Sequence, residues 1–257
     1  MNELDMPENA GVLKDGSTVQ DPRLDRLAEF DEKSREYGVR ELLMEAGETR
    51  PRSKSWVCPL WNDQGREGAC VGFAWSHELA ADPLRILANE MTAMAIYKKA
   101  QFIDEWPGEA YSGTSVLAGA KVVQTFKSNN KLVMPEYRWA FGVDDLMLAV
   151  AYQGPAVLGL NWYQGMFNTD PTHFIRVSGS LRGGHCILAR GIRIFWKAGT
   201  TDRTTAEVDR EKSYFTLRNS WGKDWGRNGD CRITVADLER LLNESGDACI
   251  PVVRRVA

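Results

Sequence analysis

Two hydrophobic patterns divide this 257-residue chain, and the change between them limits the folds open to it. Residues 51–62 read as extended, and between 71 and 152 most apolar positions recur at helical spacing. Residues 71–81 suit a helix, and 84–99 continue it with Leu84, Leu87, Met91, Met94 and Ile96 as a core-facing stripe. Trp106-Pro107-Gly108 breaks the pattern, Ser112-Gly113-Thr114-Ser115 caps a helix over 116–125, and Asp144 and Asp145 open another over 144–152, where negative charge suits the first turn. Gly154-Pro155 closes this half. Beyond it, 156–161, 186–192, 213–218 and 231–234 read as strands, with one short helix over 237–242. Helices first and strands later predict an α+β protein of two halves. The expected division is an N-terminal extension over 1–52, a helical lobe over 53–153 and a β-rich lobe over 154–257. Residues 131–138 read as irregular.

One cysteine stands at a helix start. In Asp63-Gln64-Gly65-Arg66-Glu67-Gly68-Ala69-Cys70 two glycines punctuate a loop that runs into the 71–81 helix. A thiol there feels unpaired backbone N–H groups and the positive end of the helix dipole, both of which favour thiolate. Gln64 carries an amide that can donate to an oxyanion, so the loop supplies half of an acyl-transfer site. Cys58, Cys186, Cys231 and Cys249 lack this setting and read as packing residues.

Three histidines compete to serve as its base. His77 lies about 10 Å further along the same helix, too far for a direct hydrogen bond to the thiol. His173 follows Asp170-Pro171-Thr172 in a polar loop. His185 opens an apolar strand after Gly183-Gly184 and is the best placed. Cys186, its neighbour, points to the opposite face of that strand. No CxxC pair and no HExxH occurs, so no metal or other cofactor is expected. Gly183-Gly184 is not followed by the Lys and Ser/Thr of a phosphate loop.

The loop, the Gly183-Gly184-His185-Cys186 segment and Leu217-Arg218-Asn219-Ser220-Trp221-Gly222 together resemble the papain-like cysteine peptidases, of the intracellular bacterial and phage type. The three pieces occur in that family's order. Glu67 stands where secreted members carry a disulfide cysteine, and Val71 where they carry an aromatic. The resemblance implies a two-lobed fold with a cleft between the lobes. It implies Cys70 as nucleophile, His185 as base and acid, Asn219 orienting the imidazole, and Gln64 with the Cys70 N–H as oxyanion donors. Gly113, Gly184 and Trp221 become candidate substrate-lining residues. The expected activity is hydrolysis of peptide bonds through a thioester. The same chemistry also serves a transpeptidase or isopeptidase, and a papain-like fold can be kept for binding alone in a phage or bacterial particle.

The charge balance narrows the partners. A net charge of −3 without a long basic run argues against a nucleic-acid or anionic-membrane surface. Met1-Asn2-Glu3-Leu4-Asp5-Met6 has no basic or apolar leader, and the five cysteines are odd in number. Both favour reduced thiols in a cytoplasm, or in a virion if phage-encoded, with a peptide or protein as partner. The charged 1–52 segment is expected to be an arm packed on the domain surface, with Asp21–Leu27 and residues 30–35 as loop and short helix. The alternative is an inhibitory arm across the cleft.

Overall fold

The computed structural model describes residues 12–29, 31–106, 112–199 and 206–252. Phe30, Pro107 and Gly108 lie outside them, as do residues 1–6. In chain order the elements are β1 (Arg26–Leu27), α1 (Val39–Glu45), β2 (Lys54–Ser55), α2 (Cys70–Ala80), α3 (Glu90–Ile103), β3 (Thr114–Ser115), α4 (Val116–Val123), β4 (Lys127–Ser128), β5 (Lys131–Leu132), β6 (Glu136–Trp139), α5 (Val143–Tyr152), β7 (Ala156–Tyr163), β8 (Leu181–Arg193), β9 (Tyr214–Arg218), β10 (Asp230–Thr234), α6 (Val235–Asn243) and β11 (Asp247–Val252). The order β10-β9-β8-β7-β11-β6, with β2 also on β8, makes one antiparallel sheet.

Alternation along the central strands separates two cores. Leu158, Leu160, Ile187 and Ala189 face α5 and α6, whereas Val157, Cys186 and Leu188 face α2 and α4. His185 shares the parity of Ile187, so Cys186 is turned towards the helices, as expected. β6 pairs with β11 at the edge of the sheet, and α5 packs on the same core as α6.

The apolar stripe over 84–99 is corrected. Arg85 has φ 51°, a left-handed conformation that no helix continues, and α3 starts only after Asn89 accepts the Thr92 N–H at 3.2 Å. Leu87 and Met91 are consequently 80% and 76% exposed rather than core. Residues expected to be irregular supply β5 and β6.

α2 is buried along its whole length, and Gly72 lets it approach α3. A Cβ there would stand 2.2 Å from the Ala93 carbonyl oxygen and 2.9 Å from Tyr97 Cβ. Gly72→Ala should therefore destabilise the protein by about 1–3 kcal/mol through overpacking, despite alanine's better helix propensity. Urea unfolding checks this, and an unchanged midpoint would mean that α3 moves aside freely.

Candidate active site

The loop before α2 is shaped by its side chains. Asp63 Oδ1 accepts the Gly65 N–H at 2.8 Å, and Gly65 takes φ 59°. The chain then reaches Cys70, the first residue of α2, with no side chain capping the helix. Gln64 is fixed from both ends. Its Oε1 accepts the Ser220 hydroxyl at 2.6 Å, and its Nε2 donates to the Glu67 carbonyl at 2.7 Å and the Arg23 carbonyl at 3.4 Å.

His185 lies on β8 opposite Leu160 of β7. Its Nε2 is 2.8 Å from Asn219 Oδ1, which also accepts the Ser220 N–H at 2.8 Å. An oxygen already held as an acceptor assigns the proton to Nε2 and leaves Nδ1 as the bare nitrogen of the neutral ring. Nδ1 makes no hydrogen bond. Trp221 covers the pair: its ring centroid lies 5.2 Å from that of His185 and 5.6 Å from that of Trp162. His77 is elsewhere, its Nε2 accepting the Asn62 N–H at 3.1 Å inside the helical lobe.

The sequence left open whether the N-terminal segment packs on the domain surface or lies across the cleft. Of the described part of the N-terminal arm, residues 23–27 lie across these residues, between Trp221 and Gly184 on one side and Cys70 and β3 on the other. Arg23 sets its guanidinium carbon 4.2 Å above the Trp221 ring. Leu24 is completely buried, and Asp25 bridges to Gly184 of β8. Arg26 and Leu27 form β1, parallel to Thr114 and Ser115 of β3. Both glycines expected to line substrate meet the arm backbone. A Cβ on Gly184 would stand 2.1 Å from the Arg26 carbonyl oxygen, and one on Gly113 2.9 Å from that of Asp25. Buried ion pairs anchor the arm at two places, Lys14–Asp104 at 2.8 Å and Arg26–Asp247 at 2.7 Å.

Asp25 is the centre of this contact. The Cys70 thiol donates to its Oδ1 at 3.0 Å and the Tyr97 hydroxyl to its Oδ2 at 3.1 Å, while Tyr97 accepts the Gly113 N–H at 3.2 Å. Burial pushes the Asp25 carboxyl up to about 7, against the pull of the Cys70 and Tyr97 hydrogen bonds and of the Cys70 backbone N–H. Burial, then the Asp25 charge, pushes the Cys70 thiol well above its usual range. Burial lowers His185 to about 4, with Asn219 and the Arg23 backbone pulling it back up. The thiolate expected at a helix start is thus suppressed while the arm is seated. Asp25, Arg26, Tyr97 and Asp247 carried no local sequence signal.

All five cysteines are free and buried. Among the described residues no group of three or more His, Cys, Asp or Glu is arranged to hold a metal ion, and no helix is long and apolar enough to cross a membrane.

No protein-family model matches the sequence. Cathepsin B-like cysteine proteinase 6 of Caenorhabditis elegans is 30% identical over 111 residues, 42% of this chain and 25% of that protein. Zingipain-1 of Zingiber officinale is 42% identical over 43 residues, 17% of each chain. The matched stretches thus span a quarter or less of these relatives' length. Among solved structures, xylellain, a cysteine protease from Xylella fastidiosa, superposes with a TM-score of 0.56 at 16% identity, covering 99% of this chain and 100% of that one. The proCathepsin B S9 structure from Trypanosoma congolense gives 0.50 at 13% identity, covering 90% and 83%. The α+β, papain-like two-lobed fold implied by the three sequence segments is the fold of this chain.

Proposed function

We propose that this protein is a cysteine peptidase whose cleft is closed, in this conformation, by its own N-terminal arm. The observation that carries the reading is the fixed His185–Asn219 pair, whose remaining ring nitrogen is unbonded beside the same arm that covers Cys70. With the arm displaced, Nδ1 takes the Cys70 proton and the thiolate attacks a peptide carbonyl. The oxyanion forms between Gln64 Nε2 and the Cys70 N–H. Both donors already face oxygens of the arm, the Arg23 carbonyl and the Asp25 carboxylate respectively. His185 then protonates the leaving amine, and water activated by the same ring hydrolyses the thioester. Asn219 holds the ring through Nε2, and Trp221 keeps water from that hydrogen bond.

The arm also accounts for its own survival in the groove. Its backbone runs parallel to β3, and a carboxylate rather than a peptide carbonyl meets the sulfur. Acid-quenched digests of a peptide pool test the proposal, using the protein with Leu24→Ala to loosen the arm. Mass spectrometry should find an acyl group on Cys70 alongside hydrolysed products. Product formation without that adduct, undiminished in a Cys70→Ser chain, would sink it. Added amine in the same digests separates hydrolysis from transfer.

A further inference from the structure

A cavity of about 590 Å³ lies between the 57–61 segment and strands β8, β9 and β10, and none of its lining residues belongs to the arm. Arg190, Arg218, Arg227 and Arg232 line it, and Asp230 is the only carboxylate among the described residues that do. That carboxylate is already shared. Its Oδ1 accepts Arg218 Nε at 2.6 Å and its Oδ2 accepts Arg190 Nη2 at 2.5 Å. The Arg218, Arg190 and Asp230 side chains are 3%, 18% and 13% exposed. Two guanidiniums thus lean on one carboxylate in a largely buried place, and a positive charge there lacks its own counter-ion. Such a charge is costly unless an anion joins it.

The rest of this pair's bonds are architectural. Arg218 Nη1 donates to the Cys58 carbonyl at 3.2 Å and to the Leu60 carbonyl, and Arg190 Nη1 donates to the Trp56 carbonyl at 3.1 Å. Arg218 Nη2 has no hydrogen-bond partner among the described residues. Arg227 is exposed, and among the described residues its guanidinium is neither ion-paired nor hydrogen-bonded. Arg232 lies 4.9 Å over the Tyr214 ring and reaches only the Thr172 carbonyl, at 3.4 Å.

We propose that this cavity binds a multiply charged phosphate anion, of the size of pyrophosphate, between Arg227, Arg232 and Arg218 Nη2. Four guanidiniums face one carboxylate, so three positive charges stay unmatched. Guanidinium forks pair with phosphate oxygens two at a time, which suits a phosphate better than a single small anion. The Trp61 ring is already engaged by Arg218 at 5.2 Å and Lys223 at 5.0 Å. It therefore offers no open platform for a stacked organic group, and the site reads the anion itself.

The cavity backs onto the catalytic candidates. Asn219 follows Arg218 and donates its backbone N–H to the Gly229 carbonyl at 2.9 Å. A Cβ on Gly229 would stand 3.0 Å from Trp61 Cδ1, and Trp61 leads through Asn62 and Asp63 to Gln64. An anion drawn between the 227–232 turn and Arg218 braces the two segments that carry Asn219 and Gln64. Binding itself is independent of the peptidase reading, since no part of it involves Cys70.

Isothermal titration of the full chain with inorganic pyrophosphate, at low ionic strength to limit screening, tests the site. One anion should bind per chain, and the melting temperature should rise with pyrophosphate concentration. Arg227→Gln removes an exposed, unpaired side chain and so leaves the fold intact; it should lower the affinity about tenfold or more, the usual worth of a hydrogen bond to a charged group. Adding Arg232→Gln should lower it further. Arg193→Gln, an exposed arginine of β8 outside the cavity, should leave it unchanged. Sulfate, a smaller anion of lower charge, should bind more weakly than pyrophosphate. The proposal is overturned by the absence of both heat and thermal shift, by an affinity that survives the Arg227→Gln and Arg232→Gln changes, by equal losses from Arg193→Gln and Arg227→Gln, or by sulfate binding as tightly as pyrophosphate.

Discussion

Truncating Leu24 to alanine should accelerate alkylation of Cys70 at neutral pH by roughly 30-fold to 5,000-fold. The sulfur is fully buried, so a reagent reaches it only when the arm lifts, and the rate follows the population of the opened form. Leu24 is completely buried, in the same core cluster as Trp162 and Leu160 and pressed close to Gly183. Leucine-to-alanine changes at such positions cost about 2–5 kcal/mol, which becomes the stated range if opening carries the whole loss. Cys58, Cys231 and Cys249 are internal controls, because they are buried and, unlike Cys186, face no charged group of the arm. Iodoacetamide labelling read peptide by peptide checks the expectation. Equal acceleration of all five thiols would indicate global loosening and would remove the arm as the gate.

The same opening should depend on pH through Asp25. Its carboxyl sits at about 7 in the seated arm and, once released to water, near the usual 3.9. A carboxyl raised in the closed form binds its proton more tightly there, so closure is fully favoured below about 4 and weakens as pH rises through about 7. Asp25 should therefore give opening a rising component of up to tenfold per pH unit across that window that levels off above it, while His185, held near 4 under the arm and raised on release, opposes it over the lower part of the window. The groups facing Asp25 do not titrate in the window, since burial raises both Cys70 and Tyr97. Asp25→Asn should remove this component of the labelling profile.

The catalytic candidates were readable in the sequence because each is marked by its immediate neighbours. Cys70 has a glycine loop and a helix, His185 a glycine pair and an apolar strand, and Asn219 the Ser220-Trp221-Gly222 turn. The strand positions followed from alternation for the same reason. The arm was not readable, because its contacts are remote: Arg26 and Asp247 are 221 residues apart, and Asp25 and Cys70 are 45 apart. Nothing next to Asp25 distinguishes it from the other acids of the first fifty residues. The 84–99 stripe misled for a physical reason too, since periodicity records which side chains share a face but not whether that face is covered. Strand β11 went unseen because Pro251 interrupts a short apolar run.

Against the Leu24→Ala background, His185→Ala should lower kcat/KM for peptide hydrolysis by about 10²–10⁴-fold, the usual worth of a positioned acid–base group. The argument turns on what the arm does to the ring. Burial holds His185 near 4, and the Arg23 charge adds to that lowering. The thiol is held in the opposite direction by burial and by Asp25. Both constraints come partly from the arm, so its departure moves the imidazole up and the thiol down, towards the point where a proton can pass from sulfur to Nδ1. Fast alkylation persisting at acid pH is the signature of that pair, and it should be present with Leu24→Ala alone and absent once His185→Ala is added. Asn219→Ala should leave the pair in place but shift its acid limb, because the hydrogen bond to Nε2 supports the protonated ring. Acid-pH reactivity that survives His185→Ala would show that the thiol is activated by the start of α2 alone, and His185 would lose its assignment as the base.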